Sequence, residues 1–194
     1  MNKPIQTLNS SISRRNFISN SGKIATGSAR AGVARPVVHG QSSDVTKVAL
    51  VGCGGRGTGA ASNALSVSAA NGPTKLVAMA DVFQSKMDQS YNGLVNKHKD
   101  QVDVPEERRF IGFDGYEKAM DALDPGDVVI FTSPCAFRWV HYQYAIKRGL
   151  NVFMEKPVTP DGHSSRKMLE LNEEAKKLTP KVGVALLCRH GQPR

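Results

Sequence analysis

At 194 residues, with 40% hydrophobic and 22% charged residues, the chain suits one globular core and not a disordered or fibrous polymer. No apolar run approaches the roughly 18–20 residues that span a membrane. The formal charge of +9 does not point to nucleic acid: residues 1–43 carry six basic residues and no acid, and the remainder holds 20 basic against 17 acidic residues, a balance of +3.

The N-terminal excess has the layout of a targeting segment. Ser13-Arg14-Arg15-Asn16-Phe17-Ile18 looks like a twin-arginine export signal. A mildly apolar Gly/Ala/Ser-rich stretch follows, from Ile18 to Ala34, interrupted by Lys23 and Arg30. A basic disordered tail is the plainer alternative. Residues 1–44 are read as signal and linker, 45–190 as the folded domain and 191–194 as a truncated tail. Export by the twin-arginine machinery places the protein in the periplasm; the alternative is the cytoplasm. Cys53, Cys135 and Cys188 are odd in number and too scattered for a zinc pattern. They read as small apolar residues, and no metal site is expected.

The first strand is predicted at about Val45–Val51. It runs into glycines at Gly52, Gly54, Gly55 and Gly57, and a helix is predicted over Gly57–Ala69. Strand, tight turn and helix form the context in which G-x-G-x-x-G carries meaning. Gly52 lets the chain turn, Gly54 lets a pyrophosphate approach the backbone, and Gly57 lets the helix pack close. The helix N-terminus offers free N–H groups to phosphate. Lys75–Ala80 is the second strand and Asp81 ends it, where an acid holds ribose hydroxyls. A carboxylate there repels a 2′-phosphate, so NAD is favoured over NADP, with Lys86 nearby. The competing role for Asp81 is to cap a helix over Val82–His98.

A third short strand is predicted at Arg109–Ile111, then a helix over Tyr116–Leu123 capped by Asp114. The fourth strand, Asp127–Phe131, ends at Thr132-Ser133-Pro134, and a helix follows over Phe137–Arg148. The fifth, Asn151–Met154, leads into Glu155-Lys156-Pro157. Thr159 is expected to cap a helix reaching Leu178, with Pro160 at its first position. Lys181–Leu187 is the sixth strand. This alternation predicts an α/β fold, a Rossmann-type doubly wound parallel sheet of about six strands. Lys156 suits hydride transfer, because a lysine partly desolvated at a strand end can orient a hydroxyl and take its proton. His39, His98 and His163 are read as facing solvent.

Taken together, VALVGCGGRG, DVVIFTSP, His141, NVFMEKPVTPDG and Arg189-His190 resemble the Gfo/Idh/MocA oxidoreductases, in particular their twin-arginine-exported bacterial branch. The resemblance covers about Val45 to His190. It implies that Gly52, Gly54, Gly55, Arg56 and Gly57 surround the pyrophosphate and Asp81 holds the ribose. It implies that Thr132, Ser133 and Pro134 line the nicotinamide-side ribose, with His141 beside them. Glu155 and Lys156 would lie at the nicotinamide, with Lys156 the catalytic residue reaching the substrate oxygen. Pro157 would set the backbone there, often through a cis bond. Arg189 and His190 would lie at the substrate edge.

The implied activity is hydride transfer between NAD and a sugar or polyol hydroxyl. The alternatives are an NAD-dependent glycoside hydrolase and a non-catalytic nucleotide-binding fragment. The family's usual C-terminal α+β domain is absent from the 194 residues, so the chain is expected to be a truncated N-terminal part. A homo-oligomer is expected only where that further domain exists. Leu187 and Cys188 depart from the Gln-Arg common in exported relatives.

Overall fold

Alternation within the apolar runs decides which side of a sheet each residue faces. In β1 (Thr46–Val51), Val48 and Leu50 face one side, Ala49 and Val51 the other, and all four are buried. A strand buried on both faces belongs inside a parallel sheet. The computed structural model describes residues 45–67, 72–178 and 180–185. It adds β2 (Thr74–Asp81), β3 (Arg109–Ile111), β4 (Val128–Phe131), β5 (Asn151–Glu155) and β6 (Val182–Ala185). Neighbours are all parallel, in the order β3-β2-β1-β4-β5-β6. The winding reverses between β1 and β4, which opens a crevice at the strands' carboxyl ends. This is the expected doubly wound sheet.

Five helices cover it among the described residues. On one face, α1 (Gly55–Leu65) and α2 (Gln84–His98) pack Ala61, Leu65, Met87 and Leu94 against Leu50, Met79 and Ile130. On the other lie α3 (Gly115–Asp121), α4 (Arg138–Lys147) and α5 (Gly162–Leu178). Their Met120, Tyr142, Ile146 and Leu171 meet Phe131, Val152 and Met154. No described helix is long and apolar enough to cross a membrane.

Several boundaries differ from expectation for local reasons. α1 starts two residues early, with Gly54 as an extended N-cap. It ends at Leu65, where Ser66 turns its N–H and hydroxyl back onto the Ser62 carbonyl, at 3.0 and 2.8 Å. α5 begins at Gly162 rather than Pro160, because the Asp161 carboxylate accepts the Ser164 N–H at 2.8 Å and is a better cap than Thr159. Asp114 precedes α3 without a capping bond and pairs instead with Lys118 at 2.7 Å. His98 is half-buried, its Nε2 2.9 Å from the Ser62 hydroxyl, whereas His163 is exposed as expected. Cys53 is buried against the Ala80 carbonyl and the Met87 sulfur, a small apolar residue as read. The signal segment within residues 1–44, together with Cys188, Arg189 and His190, lies outside the described residues.

Candidate functional site

The glycines after β1 behave in two ways. Gly52 turns the chain at φ +98°, and its N–H donates to the Ala80 carbonyl at 2.8 Å. A Cβ there would stand 2.6 Å from the Ser133 nitrogen, and one on Gly57 would fall onto the Gly52 carbonyl. These two glycines let backbone close on backbone. Gly54 and Gly55 do the opposite: a Cβ on either would meet nothing within 4 Å. The first turn of α1 therefore shows bare peptide to open space, with no side chain capping its N–H groups.

Thr132 supports this turn from below. Its hydroxyl donates to the Gly52 carbonyl at 2.5 Å and its N–H to the Val51 carbonyl at 2.9 Å. Asp81 is tied to the same turn. One carboxylate oxygen accepts the Cys53 N–H at 2.5 Å and the other the Phe83 N–H at 2.9 Å. The α2 helix begins beyond it, with Phe83 in the cap position, so Asp81 does not serve as the helix cap.

A cavity of about 300 Å³ opens beside the turn, and Gly52, Asp81, Tyr116, Ser133, Pro134 and His141 are in its wall. Phe113 and Phe137, both exposed, complete the wall with ring centroids 6.2 Å apart. Ser133, Pro134 and His141 thus share one space with Asp81. The aromatic residues were not singled out from sequence; three rings following the ends of β3 and β4 were the available signal.

His141 is buried, with Nδ1 3.1 Å from the Ser133 hydroxyl and its ring stacked on Tyr116 at 4.3 Å. Burial, and secondarily the Arg138 charge, push its pKa down to about 4. The imidazole is neutral near pH 7. The unfolded chain binds this proton near 6.5, the folded chain only near 4, so stability falls as pH drops through that window. His141→Gln should remove that acid sensitivity, worth about 2 kcal/mol between pH 7 and pH 4.5 at 1.36 kcal/mol per unit; urea melts at those two pH values measure it.

At the tip of β5, Glu155 is buried, its side chain 5% exposed, and pairs with Arg56 of α1 at 2.7 Å. Arg56, 46% exposed, therefore reaches from the glycine turn to β5. Glu155 and Lys156 do not form a surface ion pair with each other. Lys156 is exposed, without the partial desolvation expected, and its peptide bond to Pro157 is cis. Arg138 was missed from sequence. It is buried at 2% exposure and bonds the carbonyls of Ser133 and Glu155. The signal was present: 138, 141, 142 and 145 form one helical stripe that is otherwise core. Among the described residues no group of three or more His, Cys, Asp or Glu is placed to hold a metal ion.

A profile for an oxidoreductase family with an NAD-binding Rossmann fold matches residues 46–184. No curated protein matches the chain. Among solved structures it is similar to myo-inositol 2-dehydrogenase from Lactobacillus plantarum, at 18% identity and TM-score 0.57, over 76% of this chain and 38% of that one. It is equally similar to scyllo-inositol dehydrogenase from Lactobacillus casei with bound NAD(H) and scyllo-inositol: 18% identity, TM-score 0.56, 76% and 38% coverage. An NAD-binding oxidoreductase from Klebsiella pneumoniae matches at 23% identity and TM-score 0.55, over 74% and 35%. At these identities the likeness is one of fold. The chain spans little more than a third of those proteins' length.

Proposed function

We propose, on the premise that this chain belongs to the Gfo/Idh/MocA oxidoreductase family with its NAD-binding Rossmann fold, a seating for NAD and a hydride transfer to or from a sugar or polyol hydroxyl. The diphosphate rests on the open peptide of Gly54 and Gly55, where no Cβ intervenes and α1 presents free N–H groups. Asp81, already aimed by the Cys53 and Phe83 amides, accepts the adenosine ribose hydroxyls. The base enters the aromatic-walled cavity, which has the size and lining of a small-ligand site. The observation that carries this reading is the adjacency of bare Gly54–Gly55 backbone to the anchored Asp81 carboxylate. Calorimetric titration of the 194-residue chain tests it. NAD should bind, more tightly than NADP; no binding of either overturns the reading.

When bound, the nicotinamide accepts or supplies the hydride. The chain's part is to orient the hydroxyl and handle its proton. Lys156, which follows the anchored Glu155 at the tip of β5, is the residue proposed for that role. Single-turnover NADH formation with a panel of polyols measures it. Lys156→Met should lower the rate by about 100-fold, within the usual range for a lost general base. Release of phenol from an aryl glycoside without net NADH would replace dehydrogenation by the eliminative route. The twin-arginine pattern at Arg14-Arg15 supports export to the periplasm, and fractionation of expressing cells reads this directly.

A further inference from the structure

One buried charge takes no part in the seating described above. The Arg138 guanidinium opens α4 on the core side, out of contact with water. A cation so placed is costly unless its N–H groups are bonded. Nη1 donates to the Glu155 carbonyl and Nη2 to the Ser133 carbonyl, each at 2.6 Å; Nε has no partner among the described residues. The two accepting carbonyls belong to neighbouring strand ends. The β4–β5 ladder has its last pair at Phe131 and Met154, and the guanidinium joins the two chains just beyond it. A rigid planar fork on two carbonyls sets their spacing in a way a flexible ammonium does not.

The two ends differ in what else holds them. On the β4 side, the Ser133 hydroxyl also bonds His141, and the Thr132 N–H bonds the Val51 carbonyl. On the β5 side, Glu155 pairs through its side chain with Arg56, which is half-exposed, and its backbone forms the last rung on β6, opposite Ala185. The next residue is Lys156. Without the fork the β4 end keeps its own bonds to His141 and Val51, and Lys156 loses the link that ties its neighbour to them. We infer that Arg138 is a positioning residue: its guanidinium clamps the carboxyl ends of β4 and β5 together and so holds Lys156 at a set place over the cofactor crevice. This rests on the seating of NAD proposed above, with the adenosine half at the Asp81 cavity and the nicotinamide half towards β5.

The test uses two nucleotides. ADP engages the glycine turn and the cavity, and NADH engages these and the β5 end. In the 194-residue chain, Arg138→Lys should weaken NADH by about tenfold, as one charge-assisted hydrogen bond is lost, and leave ADP within about twofold. Arg138→Gln, which also keeps a single donor group, gives a second reading of the same ratio should the lysine variant not fold. A fall in NADH and ADP affinity together would show a purely structural role and overturn the inference. Wild-type NADH affinity in the variants would overturn it too. Failure of the unsubstituted chain to bind either nucleotide would instead strike the underlying seating, and the clamp's role with it.

Discussion

Gly57→Ala should abolish NAD binding and lower the melting temperature by roughly 10 °C. The added methyl falls on the Gly52 carbonyl and close to the Thr132 hydroxyl, and both are themselves fixed. Overpacking costs about 1–3 kcal/mol where side chains give way. Here the obstacle is backbone, so the upper end applies, and at 2–4 °C per kcal/mol this gives the stated shift. To relieve the clash, α1 must move off the turn, and its N-terminal amides move with it. Gly59→Ala is the matched control. It lies in the same helix, two residues on, and its Cβ would meet nothing within 4 Å. It should stabilise the fold by up to about 1 kcal/mol, as alanine does in helices, and leave NAD binding intact. Thermal melts and calorimetry on the pair read both signs. A Gly57→Ala chain that melts normally and binds NAD would show that α1 does not close on the turn.

Asp81→Ala should weaken NAD by roughly 100-fold and leave NADP unchanged or improved. Two hydrogen bonds from ribose hydroxyls to a carboxylate are worth about 3 kcal/mol together at the lower end of the charged range. The carboxylate also carries the charge that would repel a 2′-phosphate. A competing outcome has its own physical basis. Asp81 holds the Cys53 and Phe83 amides, so its loss could loosen the glycine turn and weaken both cofactors alike. Asp81→Asn separates these effects, because it keeps the shape and one acceptor while removing the charge. Equal losses for NAD and NADP in both variants would confine Asp81 to holding the turn.

The sheet was legible because its signals are local. Val48–Val51 is a buried strand by composition, and the glycines force a turn whatever lies around them. The same holds for Asp127–Phe131 and Asn151–Met154. Helix ends were less legible. Thr159-Pro160 has the expected pattern for a start, but Asp161 stands two residues on and is the stronger acceptor, so α5 begins there. Asp114 has a capping residue's identity, but Lys118 takes its carboxylate. Such contests between neighbouring partners differ by less than a kilocalorie or so per mole, and spacing alone does not rank them.

Order along the chain determined the strands, the glycine turn, the acid that ends β2 and hence the class of ligand, because each depends on backbone freedom or on residues a few places apart. The tertiary structure decided which charges meet. Arg56 and Glu155, 99 residues apart, pair across the crevice. Arg138 is buried beneath the ends of β4 and β5, and His141 is kept neutral by the same enclosure. These outcomes follow from desolvation and Coulomb energy, which are set by distance in space, and that distance exists only once the sheet has closed.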